Sequence, residues 1–350
     1  MAWFSKFLAL ATCIWPALAL AQASPAVPSA VVLMYHRFGE GRFPSTNIGL
    51  DQLKAHIAYL QAERFNVVPL AEVVAALDRR APLPPRTVAI TVDDAYASVV
   101  AHAWPLFKRA GFPFTVFVAT AAVDQGQAGI MSWAQVRALA ADGVTIGGHS
   151  HAHPHYPALS AEAVRADLAA MNARFMAELG AVPTVFAYPY GEAGRADMAL
   201  VRDAGFAAAF GQNSGPVYPE AERFLLPRFA LNEAYGAMDR FALVVHSRPL
   251  RAVDLVPADP VLRANPPALS FRVLDAPPLA GLSCFGPRGE RLAVSVAAAT
   301  VRVAPAAPFP TGRARVNCTL KAGAAWYWFG QEFLAGGASE GVPVHARYRN

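Results

Sequence analysis

The sequence predicts an α/β fold, in which a parallel sheet covered by helices is wound open or closed as a barrel and is followed by a small β-rich domain. Between residues 30 and 245, short β-branched and aromatic runs alternate with segments of helical periodicity. This alternation is typical of parallel strands joined by covering helices. No glycine-rich phosphate loop follows the early strands, which argues against the dinucleotide-binding form of this architecture. Beyond residue 267, alternating apolar runs predict the β-rich domain.

The elements of the α/β part are predicted in a regular order. Strands are expected at residues 30–34, 87–92, 114–119, 144–146, 185–188, 207–210 and 225–231. Helices are expected at residues 50–62, 96–110, 133–141, 161–179, 196–204 and 235–243, and a proline-rich loop precedes the second strand. In the first helix Leu53, Ile57 and Leu60 share one face, which should pack on the sheet.

Four segments are predicted along the chain. Residues 1–23 resemble a cleavable secretory signal, because Lys6 precedes an apolar run that ends in small residues; an uncleaved N-terminal anchor is the alternative. Residues 24–248 hold the α/β domain, residues 249–267 a proline-rich linker, and residues 268–350 a small β-rich domain of unknown role. We therefore expect an exported protein, periplasmic or extracellular, with no transmembrane span after removal of the signal.

Composition and cysteine content narrow the class of protein. The 350 residues are 55% hydrophobic and 16% charged, which excludes a largely disordered chain. The net charge is +5 without any block of like charges, so no nucleic-acid partner is expected. Cys284 and Cys318 remain after signal removal, and in an exported chain they either pair or stay as buried thiols. The aromatic run at residues 326–329 is either core or a surface that stacks on sugar rings.

Two adjacent carboxylates, Asp93 and Asp94, stand at the end of the strand predicted at residues 87–92. Aspartate is a common N-cap, so capping of the following helix is one interpretation. Burying two carboxylates side by side is costly unless a cation or hydrogen-bond donors compensate for it, and this cost makes a binding site the other interpretation.

A histidine cluster follows the strand predicted at residues 144–146, directly after two glycines: His149, His151, His153 and His155. These side chains belong either to a solvated loop or to a metal site, since histidine is the commonest metal ligand. Because both clusters end strands of one parallel sheet, they should meet at one edge. One carboxylate and two imidazoles with an open position form a hydrolytic divalent-metal site, and a spare carboxylate can take a proton from water.

A third cluster, Phe186-Ala187-Tyr188-Pro189-Tyr190-Gly191-Glu192, lies at the end of the strand predicted at residues 185–188. Alone it is a turn signature. Next to a metal site, the backbone N–H of Tyr190 could instead face a developing oxyanion.

In this order, the segments at residues 91–95, 149–154 and 188–191 resemble the motifs of the polysaccharide deacetylase family with the NodB homology domain. This is carbohydrate esterase family four, whose fold is a distorted (β/α) barrel. The run Leu-Met-Tyr-His-Arg at residues 33–37 is similar to the branch that deacetylates exported poly-N-acetylglucosamine. The resemblance covers residues 30–245 and implies metal-dependent removal of N-acetyl groups from an exported or cell-envelope polysaccharide, with release of acetate.

The resemblance also implies roles for individual residues. Asp93 would be the general base, and Tyr190 would contribute its backbone N–H to the oxyanion. Ser150 would support the histidine loop, whereas His151 and His155 match no ligand position. The implied ligands of the divalent metal are Asp94, His149 and His153, with zinc as the default ion and cobalt, nickel or iron as alternatives.

The chain departs from the family pattern at several positions. Ala95 replaces the usual glycine after the aspartate pair, and Ala187 replaces the arginine that orients the base in many members; Arg228 is a candidate substitute for that arginine. The family's general-acid motif has an imperfect counterpart at residues 244–246. His246 is therefore the tentative general acid, and His36 is its competitor.

Two other functions stay open from the sequence. One is an exported glycan-binding protein on a degenerate enzyme scaffold, and the other is a metal amidase or esterase acting on peptidoglycan or a small molecule. The expected partners are an N-acetylated polysaccharide and machinery for polysaccharide synthesis or export.

Overall fold

The fold is described by a computed structural model of the chain over residues 27–275 and 277–336. In chain order its strands are β1 (Val31–Tyr35), β2 (Arg37–Phe38), β3 (Asn47–Ile48), β4 (Asn66–Val67), β5 (Thr87–Asp93), β6 (Phe114–Val118), β7 (Thr145–Gly148), β8 (Val185–Ala187), β9 (Ala208–Phe210), β10 (Phe229–Ala230), β11 (Arg248–Pro249), β12 (Ala252–Val256), β13 (Leu269–Val273), β14 (Ser283–Phe285), β15 (Arg291–Ala297), β16 (Thr300–Ala304), β17 (Gly312–Ala322) and β18 (Ala325–Ala335). Its α-helices are α1 (Leu50–Ala62), α2 (Leu70–Arg79), α3 (Trp104–Ala110), α4 (Thr120–Asp124), α5 (Trp133–Ala141), α6 (Ala161–Leu179), α7 (Arg195–Asp203) and α8 (Met238–Val245). The secretory signal predicted at residues 1–23 lies outside the described residues.

The first sheet is parallel and curls into a distorted barrel. Its strands are ordered β10-β1-β5-β6-β7-β8-β9, and β4 pairs with the start of β5. After β9 the chain loops back alongside that strand, and Leu226 forms a parallel bridge to Phe210. The next strand, β10, then pairs with β1. This return brings the two ends of the sheet together. The predicted α/β fold with a distorted barrel of the NodB type is confirmed.

The strands of this sheet bury both of their faces. Ile90 of β5 belongs to an apolar cluster with residues of the covering helices, including Leu53 of α1. Its neighbour Ala89 points the other way and packs in a second cluster with Phe117. Because side chains alternate along a strand, Asp93 shares the face of Ala89. The catalytic candidate therefore points towards the inside of the curled sheet.

Most predicted elements are found within a few residues of their expected positions, but β2, β3 and α4 were not predicted, and the strand predicted at residues 225–231 is reduced to β10. Three further features differ. Ahead of the proline-rich loop that precedes β5, where no element was predicted, the chain forms β4 and α2, because Val73, Val74 and Leu77 give α2 a buried apolar face. The helix predicted at residues 96–110 begins with a π-helical turn, Val99–Ala103, ahead of α3. The segment predicted as a proline-rich linker, residues 249–267, contains β12; its prolines lie on either side of that strand.

The second sheet occupies the predicted β-rich region and extends into the predicted linker. Its order is β11-β18-β17-β14-β15-β16-β13-β12, antiparallel throughout except where β11 meets β18. Cys284 of β14 and Cys318 of β17 stand opposite each other in the ladder and form a disulfide. The sequence left open a disulfide or two buried thiols, and the structure has the disulfide.

The aromatic run at residues 326–329 joins this sheet to its own core and to the barrel. Phe329 packs on Phe271, with ring centroids 4.8 Å apart. Trp328 meets Phe229 of β10 edge-on at 5.2 Å, so the second sheet is seated against the barrel. These two side chains thus serve packing.

No helix in the described part of the chain has the length and apolar character that crossing a membrane requires.

Candidate metal and catalytic site

Three predicted clusters meet at the carboxyl-terminal edge of the first sheet. The strand β5 ends at Asp93, while His149 and Tyr188 directly follow β7 and β8, which lie side by side in the sheet. Parallel strands present all of their carboxyl ends at one edge, so the chain order alone brings the three clusters together.

Asp94, His149 and His153 converge on one point. The Oδ1 atom of Asp94 lies 3.2 Å from the Nε2 atom of His149 and 3.2 Å from that of His153. All three atoms lie within 4.8 Å of one another. Burial works to raise the pKa of Asp94, but the two histidines outweigh it and hold that pKa well below its usual range. The carboxylate is therefore ionised, as a metal ligand must be.

Two observations fit this donor set to a cation. Asp94 Oδ1 is buried, yet neither histidine reaches it with hydrogen-bond geometry, and such an atom is costly unless something else satisfies it. The Nδ1–H of His149 donates to the carbonyl of Ala187 at 2.7 Å, which turns the Nε2 atom of the ring towards Asp94. A histidine held in this way by a backbone carbonyl is the usual arrangement around a bound metal.

The backbone around the donors is held in the left-handed region. Asp94 has φ 74° and Ala95 has φ 57°, so the alanine adopts a conformation that glycine would take at lower cost. In the histidine loop Ser150 and His153 also have positive φ. The Ser150 hydroxyl accepts a hydrogen bond from the backbone N–H of His153 at 2.8 Å, which is the supporting contact expected of Ser150. Such strain in non-glycine residues is concentrated at functional sites.

Arg228 binds the carboxylate of Asp93, the predicted base, through two hydrogen bonds. Its two terminal nitrogens donate to the two carboxylate oxygens of Asp93 at 2.7 and 2.8 Å, and its Nε donates to the Gly211 carbonyl at 2.9 Å. Both side chains are fully buried. Burial works to raise the pKa of Asp93, but the charge and hydrogen bonds of Arg228 outweigh it and keep that pKa below its usual range. The candidate substitute for the arginine missing at Ala187 occupies a base-orienting position.

The structure separates the two candidate general acids. The Nε2 atom of His36 lies 3.9 Å from Oδ2 of Asp93. His246 instead accepts or donates a hydrogen bond at Tyr59 and packs on Phe65, with ring centroids 4.9 Å apart. Phe65 directly precedes β4, which pairs with the start of β5, whereas Asp93 ends β5 about 20 Å further on.

The assignment of His246 as general acid is therefore corrected. The counterpart of the family's motif falls at the end of α8, and that end lies at the opposite edge of the sheet from the metal ligands. His36, its competitor, is placed beside the base.

The third cluster lies against the histidine loop. Tyr190 has φ 60° and ψ 0°, and the following Gly191 has φ 76°, where an added Cβ would meet Gln212 at 2.6 Å. The Tyr190 ring stacks on His155 at 3.9 Å and meets the edge of His153 at 4.7 Å. The residue predicted to supply the oxyanion N–H is thus packed beside a metal-ligand candidate.

Sequence reasoning gave no role to two carboxylates that hold the histidine loop. Asp167 of α6 accepts the backbone N–H of His151 at 3.0 Å and that of Ala152 at 2.8 Å. Glu192 pairs with Nδ1 of His155 at 2.6 Å. The position of Glu192 two residues after Tyr190 was a usable signal. Nothing in the sequence around Asp167 distinguishes it from any other charge on a helix.

Comparisons with known proteins identify a related family for the segment that carries these residues. Residues 80–209 match the family model described as polysaccharide deacetylase. A putative polysaccharide deacetylase of Bacillus subtilis strain 168, YxkH, is 23% identical over 160 residues, covering 46% of this chain and 56% of YxkH. The chain thus spans little more than half the length of that relative.

Solved structures of deacetylases share the fold. The Streptococcus pyogenes deacetylase PplD, in complex with acetate, matches with a TM-score of 0.59 at 17% identity, over 63% of this chain and 99% of that one. IcaB from Ammonifex degensii matches with a TM-score of 0.54 at 27% identity, over 62% of this chain and 97% of that one. The segment at residues 80–209 thus resembles polysaccharide deacetylases in sequence, and the barrel that carries the three motifs at one sheet edge shares its fold with solved deacetylases.

Proposed function

We propose that this protein is an exported, metal-dependent deacetylase that removes N-acetyl groups from a polysaccharide of the poly-N-acetylglucosamine type. The observation that carries the proposal is the convergence of Asp94, His149 and His153 beside a buried carboxylate, Asp93, that Arg228 holds in place. A glycan-binding protein on a degenerate scaffold has no need of these three metal-ligand candidates. Because all three are present, the site favours catalysis over binding alone.

The donor set suits a divalent metal. Asp94 and the two imidazoles would hold the ion, which supplies polarisation of the acetyl carbonyl and a lowered pKa for the attacking water. One carboxylate with two histidines suits zinc, and cobalt, nickel and iron accept the same set. The protein's own contribution is to keep the carboxylate ionised and the His149 ring oriented, as described above.

Asp93 is the base in this proposal. As water attacks the acetyl carbon, its proton passes to the Asp93 carboxylate, whose two oxygens Arg228 holds in a fixed plane. Arg228 keeps Asp93 ionised until that moment, since its guanidinium lowers the pKa of the carboxyl.

The oxyanion and the leaving amine need their own donors. The Tyr190 N–H donates to the acetyl oxygen as negative charge develops there. Burial lowers the pKa of His36, which lies 3.9 Å from Asp93, so this imidazole would take the water proton from Asp93 and pass it to the nitrogen as the carbon–nitrogen bond breaks. The products are acetate and a free amino sugar.

Two observations support the substrate and the location. His36 belongs to the run at residues 33–37 that resembles the poly-N-acetylglucosamine branch, and it lies at the site rather than in the core. The disulfide between Cys284 and Cys318 fits an oxidising compartment, in line with the predicted signal. An exported substrate would place the protein beside polysaccharide synthesis or export machinery.

The proposal is tested by acetate release from a panel of substrates after chelation and metal add-back. The panel holds β-1,6-linked N-acetylglucosamine oligomers, chitin oligomers, peptidoglycan fragments and an O-acetylated xylan, each assayed with zinc, cobalt, nickel and iron(II). We expect release from the β-1,6-linked oligomers that chelator abolishes and one of the metals restores. Release only from peptidoglycan or the xylan ester would contradict the substrate, and metal-independent release would contradict the mechanism.

A further inference from the structure

The second sheet reaches into the deacetylase site through Arg313, the second residue of β17. Its Nη1 donates to the carbonyl oxygen of Tyr190 at 3.0 Å. Its Nε lies 3.5 Å from Oε1 of Glu192, and its guanidinium carbon lies 6.0 Å from the centre of the Tyr190 ring. Tyr190 and Arg313 are 123 residues apart in the chain, so this contact exists only because the second sheet is seated against the barrel.

The loop that Arg313 touches needs such a constraint. Tyr190 holds φ 60° and ψ 0°, a conformation that costs a non-glycine residue about 1–2 kcal/mol. Within the loop, the N–H of Gly191 bonds back to the Tyr188 carbonyl at 2.9 Å. The Tyr190 carbonyl shares a peptide plane with the Gly191 N–H, so the bonds to Arg313 and to Tyr188 together fix the ψ rotation of the strained residue and hold it against the plane that carries the Tyr190 N–H.

Glu192 extends the same constraint to the histidine loop. One of its oxygens faces Arg313 and the other pairs with His155 at 2.6 Å. The His155 ring lies flat against the Tyr190 ring, 3.9 Å away. Arg313, Glu192, His155 and Tyr190 thus form a closed ring of contacts next to His153, although neither Arg313 nor Glu192 is itself a metal ligand candidate.

We propose that Arg313 is a positioning residue, by which the C-terminal sheet holds Tyr190 in the geometry that stabilises the oxyanion. This inference rests on the proposed function, and it gives the second sheet a role in catalysis. Because Arg313 acts on the transition state and not on the donor set, its loss should lower kcat and leave KM and metal content unchanged.

The test compares Arg313→Ala, Arg313→Lys and a matched control, Arg272→Ala. Arg272 also lies in the second sheet, is also partly exposed, and also pairs with a carboxylate, that of Asp254. We expect kcat for acetate release to fall about tenfold in Arg313→Ala and less than about threefold in Arg313→Lys, which keeps a single charged donor. The control should keep the wild-type kcat, and all three should bind the wild-type amount of metal.

A second readout does not depend on turnover. In nitrogen-15 NMR spectra, the Tyr190 and Gly191 amide signals should shift in Arg313→Ala and stay in place in Arg272→Ala. Unmoved signals, or a kcat of Arg313→Ala within twofold of wild type, would overturn the inference. If the wild-type protein releases no acetate with any metal while the amide signals shift, the proposed function fails and the positioning of the loop stands.

Discussion

The ion pair between Arg228 and Asp93 offers a prediction whose size follows from the structure. Both side chains are fully buried, and Arg228 donates two hydrogen bonds to the carboxylate, one to the Gly211 carbonyl and one to the Thr91 hydroxyl. In Arg228→Met the carboxylate stays buried without its partner, which costs about 3–5 kcal/mol of stability. The loss of the bonds to the Gly211 carbonyl and the Thr91 hydroxyl adds about 1 kcal/mol together. We expect a total loss of about 4–6 kcal/mol in the free energy of unfolding.

The assay is urea unfolding of wild type, the two single variants and the double variant Arg228→Met/Asp93→Leu. With both charges removed, only the bonds to Gly211 and Thr91 and some packing are lost, so the double variant should be about 2–3 kcal/mol more stable than Arg228→Met alone. Arg137→Met is the matched control, because its pair with Glu178 lies at the surface and should be worth less than about 1 kcal/mol.

Two results would refute this reasoning. One is a loss of less than about 2 kcal/mol in the free energy of unfolding of Arg228→Met, since burying an unpaired carboxylate costs more than that. The other is a double variant no more stable than Arg228→Met, because the cost would then come from lost packing and not from an uncompensated charge.

Three further predictions concern other parts of the molecule. His36→Ala should lower kcat for acetate release at least tenfold, whereas His246→Ala, at the other edge of the sheet, should leave it within twofold; the reverse order would restore the corrected assignment. Burial lowers the pKa of His56 to about 4, so the unfolded chain binds the extra proton between about pH 6.5 and pH 4. Lowering the pH from 7.5 to 4.5 should therefore cost about 2.5 kcal/mol of stability through this group, and equal pH slopes of unfolding in His56→Gln and wild type would contradict it. The disulfide spans 34 residues, and its removal in Cys284→Ala/Cys318→Ala should cost about 2–4 kcal/mol by chemical denaturation; an unchanged midpoint would count against this.

Much of the barrel could be predicted because its strands and helices are specified by residue patterns within short segments of the sequence. Alternating apolar strands and amphipathic helices leave periodic patterns, and the chain order of a parallel sheet places its strand ends on one edge. The convergence of Asp94, His149 and His153 follows from these two facts. No helix was predicted at α2, because the prolines that follow it, from Pro82 to Pro85, are typical of a loop.

Contacts between distant segments could not be predicted in the same way. Arg228 was only a candidate substitute for the arginine missing at Ala187, because its contact with Asp93 joins residues 135 apart in the chain. The prediction of His246 as general acid was wrong for the same reason, since a short motif does not show at which edge of the sheet its helix ends. Arg313 carries no motif at all and gains its place only when the second sheet packs on the barrel.

The central claim is that Asp94 holds a catalytic metal while Asp93 moves the proton, and bound metal measured together with acetate release tests it most directly. We predict that Asp94→Ala retains neither metal nor activity. Asp93→Asn should bind the wild-type amount of metal and lose about 10²-fold or more in turnover. Asp142→Asn, at a surface aspartate paired with Lys108, should match wild type in both. Full activity in either Asp93→Asn or Asp94→Ala, or loss of the metal in Asp93→Asn, would contradict the account.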